Sequence, residues 1–454
     1  MNIQVPENPV RIIHELEEAG FEAYVVGGCV RDMLMGRTPK DWDITTSALP
    51  EQVKRIFPHT VDTGIEHGTV TVLMGEYPYE AYEVTTYRLD GDYQDHRHPT
   101  SVEYTPSLKE DLKRRDFTIN AMAYHPKKGL VDLFDGYGDI SRGMLRCVGE
   151  AEIRFEEDAL RMMRGIRFCA QLGFQMESST REALKKKASS LAYVSKERIR
   201  DEFMKILRAP HLECFLWLVE GGLMEWILPE FLKMLETPQN NPHHCHNVGI
   251  HSLKVVEHIK KVLKEREDKE SDLLLLAGLL HDVAKPETRT TDARGVDHFY
   301  GHPEKGEEMA KEILKTLKFD NDTKKKVSQL VRYHEYYYDQ PKASFRRYVG
   351  KVGKESMPLM FCLQEADIMG QSEYQREDKI RRIQTGKIWY QELVDQHTAV
   401  RVKELAVTGK EILELGYTQG PEIGACLQKL LEYVMEHPDR NTKEELLRQL
   451  QREE

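Results

Sequence analysis

Apolar residues recur at helical spacing from the start of the chain. Val10, Ile13 and Leu16 fall on one face, Asn8-Pro9 supplies a start signal and Gly20 a stop, which predicts an N-terminal helix. Ala23 to Val26 then reads as a strand running into Gly27-Gly28. Three further β-rich runs follow, around Asp41 to Ile44, Thr69 to Met74 and Ala81 to Thr86. From about Ser141 the β-branched runs stop and Leu, Lys, Glu and Arg dominate, as in EDALRMMRGIRF, KERIRDEFMKIL and KEELLRQLQ, so the remainder is expected to be all helical. The pattern is α+β: a mixed sheet with helices in front, helices behind.

Two interruptions divide the chain. The glycine-rich DGYGDISRG reaches Gly143, and TPQNNPHHCHN runs from Thr237 to Asn247. The resulting expectation is four segments: 1–140, 141–237, 238–370 and 371–454. The charge run from Lys260 to Asp272 reads as a solvated helix face and loop, and no internal repeat is visible.

Composition narrows the class. A chain of 454 residues has length for about three domains, and 40% apolar with 31% charged residues suits a folded protein. The longest apolar run, Leu273 to Leu280, is far short of the ~20 residues of a membrane span, and no basic stretch precedes an apolar one at the N-terminus. No membrane association, no signal peptide and a cytoplasmic location are therefore expected. The cysteines, an odd seven without CxxC pairs, suit reduced thiols. A net charge of −11, with the acidic excess in the first 150 residues, argues against nucleic-acid binding through bulk charge.

Candidate chemistry begins at Val26-Gly27-Gly28-Cys29-Val30-Arg31-Asp32, followed by Asp41-Trp42-Asp43. Gly27 and Gly28 after a strand let a phosphate approach backbone N–H groups. Alone, that signal equally describes a tight turn. Residues i and i+2 on a strand share a face, so Asp41 and Asp43 would converge, and two carboxylates that close need a cation such as Mg²⁺. With Arg31 nearby, the set suits phosphoryl transfer assisted by metal ions.

In this order, VVGGCVRD, KDWDITTSALP, HGTVTVL, VTTYRLDGDYQDHRHP, RRDFTINAMAY, DLFDGYGDI and EDALRMMRGIRF resemble the tRNA nucleotidyltransferase (CCA-adding) and bacterial poly(A) polymerase family, a branch of the DNA polymerase beta-like nucleotidyltransferases. The resemblance covers about the first 230 residues. It implies a catalytic head, Asp41 and Asp43 holding Mg²⁺, Gly28 and Arg31 contacting the nucleoside triphosphate, and Arg115 helping to bind it. Glu83 is either a third carboxylate or an exposed strand glutamate.

Asp158 and Arg161, three apart in EDALRMMRGIRF, would share a helix face continued by Arg164 and Arg167. Cytosine and adenine both present an amino donor beside a ring-nitrogen acceptor, so one Asp/Arg pair can satisfy either. Uracil and guanine present a carbonyl and an N–H there, and buried mispairing of that kind is strongly selective. The resemblance likewise implies a protein template for CTP and ATP in Asp158 and Arg161, with Arg164 and Arg167 on the triphosphate or base stack. The alternative is intrahelical ion pairs on a solvated face. The polar stretch Thr86 to Val102 reads as a mobile loop whose Arg88 and Asp90 are available for the switch from C to A that the resemblance implies.

Farther on, His251, His281-Asp282 within GLLHDVAKPET, and Asp367 resemble the HD phosphohydrolase superfamily. Imidazole mixed with carboxylate suits a transition metal such as Ni²⁺ or Mn²⁺. His302 and His334 would take a second ion or a phosphate, while His244 and His246 read as structural. The chain is thus expected to add C, C and A to tRNA 3′ ends from CTP and ATP. A functional HD set would add a metal-dependent phosphohydrolase activity. Lys185 to Lys187 and Arg381-Arg382 are candidates for tRNA docking or merely solubilising. A poly(A) polymerase, an A-only enzyme, or an HD hydrolase with an inert RNA-binding head are the alternatives.

Overall fold

The computed structural model describes residues 4–90, 102–264, 266, 268–417 and 420–451. Most of the expected mobile loop, residues 91–101, lies outside this set, as does the Asp90 side chain. The chain falls into two units, Met1–Pro229 and Glu230–Glu454.

In the first unit, helix α1 (Glu7–Glu18) buries Pro9, Ile12, Ile13 and Leu16 and ends before Gly20, which sits at φ +91°. The helix starts ahead of the expected cap. Asn8 lies within its first turn, and its amide donates to Glu80 at 2.7 Å. Strands β1 (Ala23–Val26), β2 (Ile44–Thr46), β3 (Thr60–Gly64), β4 (Thr69–Met74) and β5 (Glu80–Thr86) join β8 (Met122–His125) and β9 (Gly129–Asp132) in a seven-stranded sheet. Its order is β3-β4-β5-β2-β1-β8-β9, with β2 parallel to β5 and the other neighbours antiparallel. Between them, β6 (Arg88–Asp90) and β7 (Val102–Tyr104) pair as a separate ribbon. Val25, Ile44, Val70, Val72 and Val84 pack with α1 in one core.

Asp41 and Asp43 precede β2 rather than lying in it. The Val26 N–H donates to the Asp43 carbonyl at 3.0 Å, so the pairing of β1 runs on to Asp43. Beyond Ser141 the chain is helical in bulk, with two short ribbons that periodicity did not reveal: Met144–Leu145 beside Gln175–Met176, and Thr290–Thr291 beside Asp297–His298. Each strand has only two residues, too few for a period to register.

The second unit is built of helices, among them Val248–Leu263, Lys269–Leu280, His302–Thr316, Asn321–Tyr333 and Met357–Gly370. The apolar run Leu273 to Leu280 is buried throughout, as a helix apolar on all sides must be. Toward the C-terminus Ile412, Leu430, Val434, Leu446 and Leu450 form a separate core. Among the described residues no helix is long and apolar enough to cross a membrane.

Candidate functional site

The parallel register of β2 with β5 pairs Ile44 with Val84, which sets Asp43 beside Glu83 on neighbouring strands. Burial raises the Asp43 pKa, and the negative charge of Glu83 raises it further; Arg115 offsets part of this, while Asp41 adds to it. Glu83 and Asp41 thus both act on Asp43. Among the described residues the three do not close into a set of three ligand atoms within 4.8 Å of one another, unlike the histidine groups of the second unit.

Helix α2 (Gly28–Leu34) begins after Gly27, whose φ of +80° and ψ of −129° exclude most side chains. A Cβ at Gly27 would stand 3.2 Å from Arg115 Nη1, so the backbone and this guanidinium meet closely. Arg115 is held from behind by Asp111 at 3.2 Å, a fully buried carboxylate that also pairs with Arg114 at 2.7 Å. Arg31 donates from Nη1 to Asn120 Oδ1 at 2.8 Å and lies over the Phe168 ring.

The Asp158 to Arg167 stretch is not one helical ridge. Helix α3 (Ala151–Glu157) stops, Asp158 is extended at φ −140° and ψ 105°, and helix α4 (Leu160–Leu172) starts anew. Asp158 Oδ1 accepts from the Leu160 N–H at 3.0 Å, the local bond by which aspartate ends one helix and opens the next. Asp158 and Arg161 consequently have different partners. Arg198 Nη2 donates to Asp158 Oδ2 at 2.8 Å, whereas Arg161 pairs with Glu157 at 2.6 Å and donates to the carbonyls of Arg154 and Arg114.

Farther along α4, Arg164 pairs with Asp116 and Arg167 with Glu202 at 2.6 Å. Arg31, Arg164 and Arg167 all approach the Phe168 ring, at 5.2, 5.6 and 4.0 Å from its centroid. Sequence reading missed Asp116, Asn120, Phe168 and Arg198. The block RRDFTINAMAY contains the first two, but their partners lie on other elements. The structure therefore gathers Gly27, Gly28, Arg31, Arg115, Arg164 and Arg167 around one cluster, and gives the side chains of Asp158 and Arg161 different partners while the Arg161 N–H donates to the Asp158 carbonyl at 3.0 Å.

In the second unit, His251, His281, Asp282, His302 and His334 are buried around the Asp282 carboxylate. Each imidazole has Nδ1 against a backbone carbonyl: Gly370 for His251, Gly278 for His281, Phe299 for His302 and Val331 for His334. With Nδ1 donating, Nε2 carries the lone pair. Nε2 of His281 stands 3.3 Å from that of His251, and Nε2 of His302 stands 3.4 Å from that of His334. Facing lone pairs at such distances call for a cation. Both buried oxygens of Asp282 also lack a hydrogen bond among the described residues, although Lys285 Nζ lies at an ion-pair distance of 2.7 Å from Oδ2.

The donors form two groups that share Asp282, one with His251 and His281, the other with His302 and His334. Asp367 joins the first, 2.9 Å from His251. The chemistry of this donor set fits divalent metal. A cavity of about 1180 Å³ opens beside it, bordered by His244, Tyr300, Tyr337 and Lys379. His244 is not remote from the centre: its ring meets His251 edge to face, and burial, reinforced by Lys285 and His251, pushes its pKa down to about 2.

Known proteins resemble this chain over the same segments. Residues 23–146 match the poly A polymerase head domain, residues 173–235 the probable RNA and SrmB-binding site of polymerase A, and residues 248–370 the HD domain. The CCA-adding enzyme of Lactobacillus delbrueckii subsp. bulgaricus is 34% identical over 96% of this chain and 95% of its own. That of Geobacillus kaustophilus is 49% identical over 49% of this chain and 54% of its own. The crystal structure of Bacillus stearothermophilus CCA-adding enzyme in complex with CTP is similar with a TM-score of 0.70 at 30% identity, covering 98% of this chain and 97% of that one. Thermotoga maritima CCA-adding enzyme complexed with tRNA shares the fold, with a TM-score of 0.58 at 21% identity. A head of this kind implies a divalent metal, and the His/Asp cluster suggests a second metal site. The chain belongs to the CCA-adding enzyme family, the tRNA nucleotidyltransferases, and carries an HD domain.

Proposed function

We propose that this chain extends tRNA 3′ ends with C, C and A, the 3′-hydroxyl attacking the α-phosphate of CTP or ATP with release of pyrophosphate. The observation that carries the reading is the convergence of Arg31, Arg164 and Arg167 on Phe168 within the unit that holds Asp41, Asp43 and Glu83. Mg²⁺ bound by Asp41 and Asp43 supplies charge neutralisation at the transferring phosphate. Gly27 and Gly28 let the triphosphate close on the backbone, and Arg31 and Arg115 meet its charge.

Asp158 accepts the amino group of cytosine or adenine, and Arg161 donates to the ring nitrogen, exchanging its contacts with the Arg114 and Arg154 carbonyls for the base. The four segments 1–140, 141–237, 238–370 and 371–454 serve as head, neck, HD domain and tail. The tRNA docks through shape and backbone on helical basic residues, in the cytoplasm. Lys186 and Lys187 already pair with Glu152 and Glu156, and Arg381 with Asp378, which moderates the charge they offer.

The shared-carboxylate metal centre supports a second activity, hydrolysis of phosphomonoesters or cyclic phosphodiesters with Ni²⁺ or Mn²⁺. His251, His281, Asp282, Asp367, His302 and His334 hold the ions. Incubating the full chain with tRNA lacking CCA, Mg²⁺ and single nucleotides tests the main reading. CTP additions followed by one A, both lost in Asp41→Ala and Asp43→Ala, are expected. Long A tracts from ATP alone would make it a poly(A) polymerase, and addition of A only to tRNA ending in CC an A-only enzyme. Activity unchanged in both variants would overturn the assignment of the head.

A further inference from the structure

We infer that Arg198 is the positioning residue of base selection: it fixes the plane of the Asp158 carboxylate so that its remaining lone pairs meet an amino donor and not a ring N–H. The inference rests on the proposed pairing of Asp158 and Arg161 with CTP and ATP, and extends it to a side chain on another helix.

Asp158 is a single extended residue between two helices, so its backbone alone does not hold the carboxylate in one orientation. Two contacts do. Oδ1 accepts from the Leu160 N–H at 3.0 Å, and Oδ2 accepts from Arg198 Nη2 at 2.8 Å, with Arg198 Nη1 a further 3.4 Å from Oδ1. Arg198 stands on α5 (Lys196–Arg208), a helix whose Ile199, Phe203, Ile206 and Leu207 are buried, so its Cα is anchored by packing that has nothing to do with the nucleotide. Both side chains are mostly covered, Arg198 to 26% and Asp158 to 17% residual exposure.

Selectivity requires this rigidity. A carboxylate free to rotate or shift finds the N3–H of uracil as readily as the N4 amino group of cytosine, because both put an N–H on the Watson–Crick edge, one from the ring and the other from the adjacent exocyclic amine. A carboxylate pinned by a guanidinium fork and a backbone N–H presents its open lone pairs in one direction only. Discrimination against the wrong base then comes from the acceptors and donors that do not meet, which is where large ratios originate.

The test uses the full chain with tRNA lacking CCA, and compares kcat/KM for CTP and for UTP in wild type, R198M and R198K, with the thermal midpoint of each. R198M is expected to lower the CTP over UTP ratio at least tenfold, R198K to restore most of it, and D158A/R198M to be no less selective than D158A alone, because Arg198 acts through Asp158. A ratio within twofold of wild type in R198M overturns the inference. So do losses in D158A and R198M that multiply in the double variant, the signature of a merely structural role. Should R198M not fold, R198Q decides: a CTP over UTP ratio lowered more than twofold supports the inference and one within twofold of wild type overturns it. Wild type adding neither C nor A removes the underlying reading instead, and does so before any substitution is made.

Discussion

Arg164 closes on Asp116 through two nitrogens, Nε and Nη2 lying 2.9 and 2.7 Å from the same oxygen, Oδ2. The other oxygen accepts from the Phe117 N–H at 2.8 Å and faces the Asn120 amide, whose Oδ1 in turn accepts from Arg31. Arg31 and Arg164 thus share one buried relay through Asn120 and Asp116. Replacing Asp116 with Asn leaves Arg164 without its anionic partner and loosens both arginines. We expect KM for CTP and ATP to rise by about tenfold, the value of roughly 1.4 kcal/mol in binding, and the fold to lose about 2 kcal/mol. Steady-state kinetics and urea titration measure the two effects.

The same pair sets a pH dependence. Burial opposes the ionised carboxylate, but the Arg164 charge and hydrogen bond outweigh it and hold the Asp116 pKa down to about 2, below the ordinary 3.8 of an aspartate. A depressed folded pKa means stability that is fully present above the unfolded value and lost as pH falls through the folded one. Between pH 4 and 2 the wild type should therefore lose about 2 kcal/mol through this group alone. Asp116→Asn should lack that component, which urea midpoints across the window compare directly.

How legible the site was depended on whether its residues stand in short recognisable blocks. Gly27-Gly28, Asp41 with Asp43, and His281-Asp282 do, and the structure brings the HD set together although His251 and Asp367 lie 116 residues apart. The approach of Arg115 to the Gly27 backbone was not legible. The ridge from Asp158 to Arg167 was misread, because a capping aspartate interrupts the helical period and no spacing rule shows which way it turns. Its partner Arg198 is forty residues away, and Asp116 is paired with a residue forty-eight away. Such pairings come from helices packing side by side, which local periodicity does not encode. The relation of Asp43 to Glu83 is of the same kind, since it follows from a parallel strand register.

Gly27 carries a backbone that side chains rarely adopt, and a Cβ there would press on the end of Arg115. Arg115 can give by a few tenths of an ångström, but the φ of +80° cannot be relieved so cheaply. We expect Gly27→Ala to cost about 1–3 kcal/mol and to displace Arg115 from the backbone. Lower urea stability together with weaker nucleotide binding in a filter or fluorescence assay would bear this out; unchanged binding would separate Gly27 from the triphosphate.

Asp43 titrates higher than an ordinary carboxylate because it is buried and faces Glu83. Removing the Glu83 charge favours the Asp43 anion, so its pKa falls. If nucleotide addition needs that anion, Glu83→Gln moves the acid limb of the pH–rate profile to lower pH. A limb that stays in place, or moves upward, would show that Glu83 does not govern Asp43.

Two ions, not one, are expected at the HD centre. His251 and His281 face Asp282 from one side and His302 and His334 from the other, with Asp282 within 3.2 to 3.8 Å of all four Nε2 atoms. Burial, with the neighbouring His281 and His302, pushes the His334 pKa down to about 4, so its imidazole is neutral at pH 7 and ready to ligate. Each group alone supplies two imidazoles and a share of one carboxylate, and Asp367 adds a further oxygen on the His251 side only. The His302 side has only the half-exposed Glu335, whose Oε1 lies 3.8 Å from His302 Nε2, so the His251 side is the stronger site. Elemental analysis of protein equilibrated with Mn²⁺, in an Asp41→Ala/Asp43→Ala background that removes the head's contribution, should give two ions per chain. His302→Ala and His334→Ala should each leave one, and Asp282→Ala neither. Because an ion that binds only the folded state stabilises it by about 2.7 kcal/mol at a hundred times its Kd, chelation should lower the unfolding midpoint of the two-ion protein more than that of the one-ion variants. One ion in the unsubstituted centre, retained in His302→Ala and His334→Ala alike, would reduce the His302 group to a substrate-facing pair.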